Sequence, residues 1–414
     1  MTMRRRSASE AAEGAAAKPL FRSFLQGGFE CSTHRRRDGR QLDLLSGSRH
    51  DQTAERDYRR LRELGVLTVR DGLRWHLIER ADGGYQWSSF LPLLRAALRA
   101  DVEVVWDLCH YGYPEHIDIF SSRFVDRFAA FARAAARLVR EESDGQAFYC
   151  PINEISFWAW AGGEVAYMAP WRRGEGDRLK VQLVRAALAA IEAIWEVDPG
   201  ARIVHADPTI RVCADPRRPQ DRVLAAGYTE AQFHAWDMLG GVRRPELGGR
   251  LRYLDVIGVN YYWKNQWIHE GRMLDVGDPL YRPFRELLVK IHRRYGRPMA
   301  VAETGIEGAR RTSWMAYMGE ETRAAIRAGA AIEGFCWYPI LDHPGWDDDR
   351  YCPNGLFGYA NQSGERVVYG PLAREWALQQ RLFQDLAERP KPREPPPVEQ
   401  PFYAAGHPPV YRER

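Results

Sequence analysis

The chain has 414 residues, 45% hydrophobic and 28% charged, which is the balance of an ordinary soluble fold and excludes collagenous, coiled-coil and mainly disordered classes. Lys and Arg number 59 against 55 Asp and Glu, so the net charge of +4 gives no reason to expect nucleic acid or an anionic membrane as a partner. The 14 Trp, 19 Tyr and 16 Phe are an excess that asks for a task beyond core filling.

Residues 1–20 contain basic residues but lack the apolar run of a signal peptide, and they read as a disordered leader. From residue 21 to 388, short apolar runs alternate with longer stretches of helical period. The runs are Phe24 to Gly28, Val66 to Arg70, Val102 to Leu108, Ala147 to Ile152, Ala201 to His205, Val256 to Asn260, Pro298 to Ala302 and Ile332 to Trp337. Between them, Arg123 to Arg140 places Phe124, Phe128, Phe131, Ala135 and Leu138 on one helical face, and Arg178 to Trp195 is a second clear helix. Eight strand-helix units without a linker predict one α/β domain, a (β/α)8 TIM barrel with elaborated strand-to-helix loops. No glycine-rich nucleotide loop follows the first strand, which argues against a doubly wound sheet. Residues 389–414 are Pro-rich and charged, and are expected to be an extended tail.

The six cysteines are widely spaced, with no C-x-x-C pair and no zinc spacing, so they read as reduced thiols of a cytoplasmic protein with no bound metal. No run of about 18 apolar residues predicts a membrane span.

In such a barrel the active site lies beyond the carboxyl ends of the strands. The polar residues there are His34, Arg70, His110, Asn153, Glu154, Asn260, Tyr262 and Glu303, with Trp337 closing the last strand. Glu154 and Glu303 each follow a buried-looking strand, where an unpaired charge is costly. Two opposed carboxylates suit glycoside hydrolysis, one as acid and base and the other as nucleophile, and a separation of about 5–5.5 Å makes the reaction retaining.

The order and company of these residues resemble glycoside hydrolase family 1 and, more broadly, the retaining β-glycosidases of clan A. FLQGG near Phe24 is similar to the family's F-x-W-G, VRDGLRW supplies Arg70 and Trp75, and LCHYGYP resembles Y-H-W-D-L-P with His110 and Pro114 kept and Tyr111 in place of Trp. PINEI resembles T-F-N-E-P at Asn153 and Glu154, DVIGVNYY resembles D-F-I-G-x-N-x-Y at Asn260 and Tyr262, and VAETG resembles I-T-E-N-G at Glu303. FCWYPILDHPGW and the NGLFG stretch are similar to the family's last strand and the F-G-L segment after it.

The resemblance implies Glu303 as nucleophile, kept ionised by Arg70 and Tyr262, and Glu154 as general acid with a raised pKa. It also implies Asn153 on the sugar 2-hydroxyl, His110 on another ring hydroxyl, and Trp337 and Trp346 as stacking surfaces. No cofactor is implied, and the partner is a small-molecule glycoside. Two positions depart from the family, His34 where it has Gln and Gly345-Trp346 where it has Glu-Trp. Those positions hold the outer sugar hydroxyls, so glucose or galactose preference does not carry over.

Tyr111, Tyr261, Tyr262, Trp337 and Trp346 are expected around the barrel mouth, with Trp158, Trp160 and Trp171 extending toward the aglycone. The run Asp347 to Asp349 reads as solvated negative charge beside the sugar, with a Ca2+ loop as the alternative. Other readings stay open. A catalytically silent sugar-binding barrel is one, a Schiff-base aldolase using Lys264 is another, and a metal-dependent hydrolase using His205 and Asp207 is a third.

Overall fold

Val, Ile and aromatic residues dominate most of the short apolar runs, and in the computed structural model, which describes residues 19–388, these runs become the strands of a closed barrel. They are β1 (Leu25–Gly28), β2 (Thr68–Gly72), β3 (Glu103–Asp107), β4 (Phe148–Cys150), β5 (Arg202–Pro208), β6 (Val256–Asn260), β7 (Met299–Thr304) and β8 (Ile332–Trp337). Every neighbouring pair is parallel, and β1 pairs with both β2 and β8. This is the expected (β/α)8 barrel. β6 and β8 have their expected bounds, while β5 runs on past His205 to Pro208. Most of the expected leader and all of the expected tail lie outside the described residues.

The outer layer is α1 (His50–Glu63), α2 (Leu91–Ala100), α3 (Ser122–Glu142), α4 (Gly176–Val197), α5 (Arg222–Ala231), α6 (Phe284–Tyr295), α7 (Arg311–Arg327) and α8 (Gly370–Glu388). The buried face of α3 carries Phe124, Phe128, Phe131 and Ala135 as expected, but ends on Val139, with Leu138 only partly covered. That aromatic row closes on Trp75, whose ring centroid lies 5.0 Å from Phe128 and 5.5 Å from both Phe124 and Phe131. Short two-stranded ladders elaborate the loops after β5, β6 and β8. Among the described residues no helix is long and apolar enough to cross a membrane.

Alternation along each strand sorts the barrel interior into layers. Phe21 plugs the amino-terminal end against Val105, Phe148, Val204, Val256 and Ala300. The apolar side chains of the next layer, Cys150, Ala206 and Ala302, are small. Their size leaves room for the Arg70 guanidinium, which donates to the Ala302 carbonyl at 3.3 Å.

Behind β2 a second charged network is sealed from solvent. His50 meets Asp57 through Nδ1 at 2.8 Å and Asp71 through Nε2 at 2.9 Å, and Arg366 also pairs with Asp57 at 2.7 Å. Burial opposes a charged imidazole, but the two carboxylates outweigh it and raise the His50 pKa from 6.5 to about 9. The proton bound on folding therefore stabilises the fold fully below about pH 6.5, and the contribution fades as pH rises toward 9. Urea unfolding midpoints of the wild type should fall across that interval, and His50→Gln should flatten the fall. An unchanged slope in the variant would rule out His50 as its source.

Candidate active site

Strand ends deliver the polar groups, and an irregularity at one of them aims the most consequential carboxylate. In the β6–β7 ladder Val259 pairs with Val301 but Asn260 pairs with Glu303, so β7 carries one extra residue there. Strict alternation would turn Glu303 outward, because Ala300 and Ala302 already face inward. The bulge reverses that phase and brings the carboxylate into the barrel.

Arg70, at 2% exposure, is the hub. Its Nη1 donates to Glu303 Oε1 at 2.7 Å, its Nε and Nη2 grip Asp107 at 2.9 and 2.7 Å, and Nη2 also reaches Asn153 Oδ1 at 2.6 Å. The Tyr262 hydroxyl donates to the other oxygen of Glu303 at 2.8 Å. Glu154 has a different environment. Its oxygens accept from Tyr111 OH at 2.6 Å and from Asn260 Nδ2 at 2.9 Å, both neutral donors. Glu154 and Tyr111 also share a left-handed backbone, with φ of 46° and 70°, a conformation that side chains other than glycine adopt only where the surroundings hold it. Main-chain and second-layer bonds do so at Glu154. Its N–H donates to the Ala206 carbonyl at 2.8 Å, and Asp207 accepts from the next turn at Ser156 N and Oγ, at 2.9 and 2.6 Å.

Burial, and then the charge of Glu303, push the Glu154 pKa up to about 7. Burial also lifts Glu303 above its ordinary value, with the charge of Arg70 the largest opposing influence. Arg70 and Tyr262 do meet Glu303 and pull its pKa down, while desolvation of the buried carboxylate raises it by more. Of the two, Glu303 ionises first, since it alone has the direct cation.

His110 is oriented by Asp107, 2.9 Å from Nδ1, and by Asn153 Nδ2, 2.8 Å from Nε2. Burial disfavours its charged form, and the Asp107 bond draws the pKa upward. The amide of Asn153 decides the protonation. Its Oδ1 faces the donor-only Arg70, so its NH2 faces Nε2, which must accept, and the ring is neutral with its proton on Nδ1.

The structure therefore joins Arg70, His110, Asn153, Glu154, Asn260, Tyr262 and Glu303 in one network. His34 and Trp346 lie over it, their rings 4.7 Å apart, and Trp346 also meets Tyr111 at 5.8 Å and Phe157 at 6.2 Å. Trp337 is fully buried, its Nε1 donating to the Asn354 carbonyl at 3.0 Å, and presents no accessible face. Tyr261 is not at the mouth. It stacks on Phe284 of α6 at 4.3 Å, because adjacent strand residues point to opposite sides. Trp158 is likewise core, while Trp160 and Trp171 are exposed. The Asp347 to Asp349 run is exposed to solvent, and two of its carboxylates are also tethered. Asp349 takes Arg36 at 2.8 Å and Arg40 at 2.5 Å, and Asp347 accepts from Tyr167 at 2.8 Å, which ties the loop after β8 across to the loops after β1 and β4.

Sequence reasoning missed Asp107, the bonds of Tyr111, and Glu30, which is 8% exposed. It also missed the grouping of Cys31, Asp107 and His110, whose potential ligand atoms lie within 4.8 Å of one another. That group does not suit a cation. Both oxygens of Asp107 are engaged by Arg70, and burial keeps the Cys31 thiol protonated by raising its pKa well above the ordinary value. His205 Nε2 donates to the Tyr253 carbonyl at 2.7 Å instead of joining Asp207, and Lys264 is exposed and outside the network.

No protein-family model matches the chain, and no curated protein matches its sequence. Solved structures do match its fold. The AHE enzyme from Alicyclobacillus herbarius is similar with a TM-score of 0.71 at 16% identity, over 87% of this chain and 98% of that one. A family 1 β-glucosidase from Thermotoga maritima is similar with a TM-score of 0.69 at 14% identity, over 89% of this chain and 99% of its own. The same β-glucosidase in complex with glucoimidazole gives 0.69 at 14%, over 88% and 98%. The chain thus has the (β/α)8 fold of family 1 β-glucosidases over nearly their whole length, at an identity that carries the fold alone.

Proposed function

We propose that the protein is a retaining β-glycosidase acting on small O-glycosides, without metal or cofactor, in the cytoplasm. The observation that carries this reading is the division of environments between the two buried carboxylates. Glu303 sits on Arg70 and is the first to ionise, while Glu154 has only neutral donors and a pKa of about 7.

In the first step Glu303 attacks the anomeric carbon as the bond to the leaving oxygen breaks, and the Glu154 proton goes to that oxygen. A glycosyl ester on Glu303 and a free alcohol result. In the second step Glu154, now a carboxylate, takes a proton from water as the water oxygen displaces Glu303. Asn153 and His110, locked by Arg70 and Asp107, form a rigid wall beside the reacting carboxylates, with both ring nitrogens of His110 already engaged by Asp107 and Asn153. Tyr111 and Tyr262 keep their hydroxyl protons, since burial raises both pKa values far above the ordinary range, and so serve as donors throughout.

Activity should be bell-shaped in pH. Glu154 must be protonated, so kcat/KM falls as pH rises through about 7, and the acid limb, set by ionisation of Glu303, lies above the ordinary carboxylate range. A panel of aryl β- and α-glycosides measured from pH 4 to 9 tests this. Cleavage of β-glycosides with a flat profile through pH 7 would count against Glu154 as the acid, and binding without turnover would point to a silent sugar-binding barrel.

A further inference from the structure

Asp207 has no part in that chemistry, yet it is buried, at 2% exposure, beside the turn that carries the proposed acid. Glu154 follows β4, and a short helix, Ile155–Trp158, starts directly after it. The first N–H groups of a helix have no acceptor within it, and here β5 supplies acceptors from outside. The Ala206 carbonyl accepts from Glu154 N at 2.8 Å, Asp207 Oδ1 from Ser156 N at 2.9 Å, and Asp207 Oδ2 from the Ser156 hydroxyl at 2.6 Å. Two consecutive residues of one strand thus fix the turn on which Glu154 holds a φ of 46°.

A full carboxylate is more than that turn requires. Any neutral oxygen could accept from Ser156 N, and a buried carboxylate is costly to keep without a paired cation. Among the described residues Asp207 makes no salt bridge. The cation that acts on it is Lys180 of α4, 8% exposed, whose Nζ donates to the Ala231 carbonyl at 3.4 Å. Burial raises the Asp207 pKa to about 7, with the Ser156 bonds and Lys180 opposing. Asp207 therefore gains its charge over the same pH interval in which Glu154 loses its proton. One anion disfavours a second nearby. The charges acting on Glu154 are Glu303 from β7 and Asp207 from β5, both of which favour its protonated form, while Tyr111 and Asn260 are neutral donors.

We infer that Asp207 is a positioning residue for the general acid, holding the Glu154 turn through Ser156 and opposing ionisation of Glu154 with its own buried charge. The inference rests on the reading of Glu154 as the acid.

Two variants separate the bond from the charge. Asp207→Asn keeps the size of the side chain and both contacts, its Oδ1 accepting from Ser156 N and its Nδ2 donating to the Ser156 hydroxyl, but removes the charge. Protein labelled with carbon-13 at the glutamate carboxyl carbon, with the Glu154 signal assigned by its absence from Glu154→Gln, reports the proton affinity of Glu154 by NMR titration without turnover. The midpoint should fall by about 0.5 pH unit or more in Asp207→Asn, and the alkaline limb of kcat/KM should move with it. An unmoved or higher midpoint overturns the inference.

Ser156→Ala keeps the charge and removes one bond. With the sugar that the aryl panel identifies, kcat/KM at pH 6 should fall about tenfold for the methyl β-glycoside, whose leaving oxygen needs the proton. It should stay within about twofold for the 2,4-dinitrophenyl β-glycoside, whose leaving group departs as an anion. Equal losses on both substrates overturn the positioning role, and if Asp207→Asn does not fold, this comparison decides. A midpoint that falls in Asp207→Asn while the wild type turns over no glycoside removes the glycosidase reading and leaves the coupling of Asp207 to Glu154 standing.

Discussion

Replacing Glu303 with glycine should lower kcat on an aryl β-glycoside by about 10⁴-fold or more, and azide should restore turnover with release of the α-glycosyl azide. Glycine removes the attacking oxygen but leaves Glu154 and the rest of the network in place, so a small anion can occupy the vacated face. It attacks once, with inversion, and its product cannot be hydrolysed through the missing ester. The anomeric configuration is the informative readout. A β-azide would assign the nucleophile elsewhere, and a Glu303→Gln protein with wild-type rate would end the proposal.

Two other carboxylates lie close enough to compete for this role, and geometry separates them. Asp107 has both oxygens on Arg70, and Glu30 has one oxygen held by Ser32 and Tyr338. Glu303 is placed by the β7 bulge and balanced by a cation on one oxygen and a phenol on the other. Neither Asp107→Gly nor Glu30→Gly should therefore respond to azide.

Alternation of apolar runs with helical stretches was enough to read the closed barrel, because parallel strands buried on both faces leave a strong period in the chain. The residues at strand ends were legible for the same reason. Asp107 was missed although a signal existed, since it shares the inward phase of Val105 and so carries a charge into the barrel. Tyr261 was misplaced against a similar signal, as its neighbour Tyr262 already pointed inward. The Glu303 bulge had no such trace. One extra residue in one strand shows only in the register with its partner, and the contacts of Glu30 with Tyr338 join residues from opposite ends of the chain. Loop tertiary structure, which has no period, sets those contacts.

Arg70→Met should be the most damaging substitution to stability among the network residues, costing about 3–5 kcal/mol. The guanidinium is the single cation that reaches both Asp107 and Glu303, so its loss leaves two buried carboxylates unpaired and Asn153 without its Oδ1 partner. Both carboxylates then favour protonation, and any residual activity should start at higher pH on the acid side than in the wild type. Arg70→Lys distinguishes charge from geometry. An ammonium restores one positive charge and with it part of the stability, but a point charge cannot span the Nε, Nη1 and Nη2 contacts that the planar fork makes. Without that span Asn153 is free to rotate, His110 loses the donor that holds it neutral, and Glu303 loses its fixed direction of attack. Urea midpoints for Arg70→Lys should therefore lie between those of the wild type and Arg70→Met, while kcat stays near that of the methionine variant. A methionine variant as stable as the wild type would show that Asp107 and Glu303 are not held charged by Arg70, and the assignment of Glu303 as the ionised partner would fall with it.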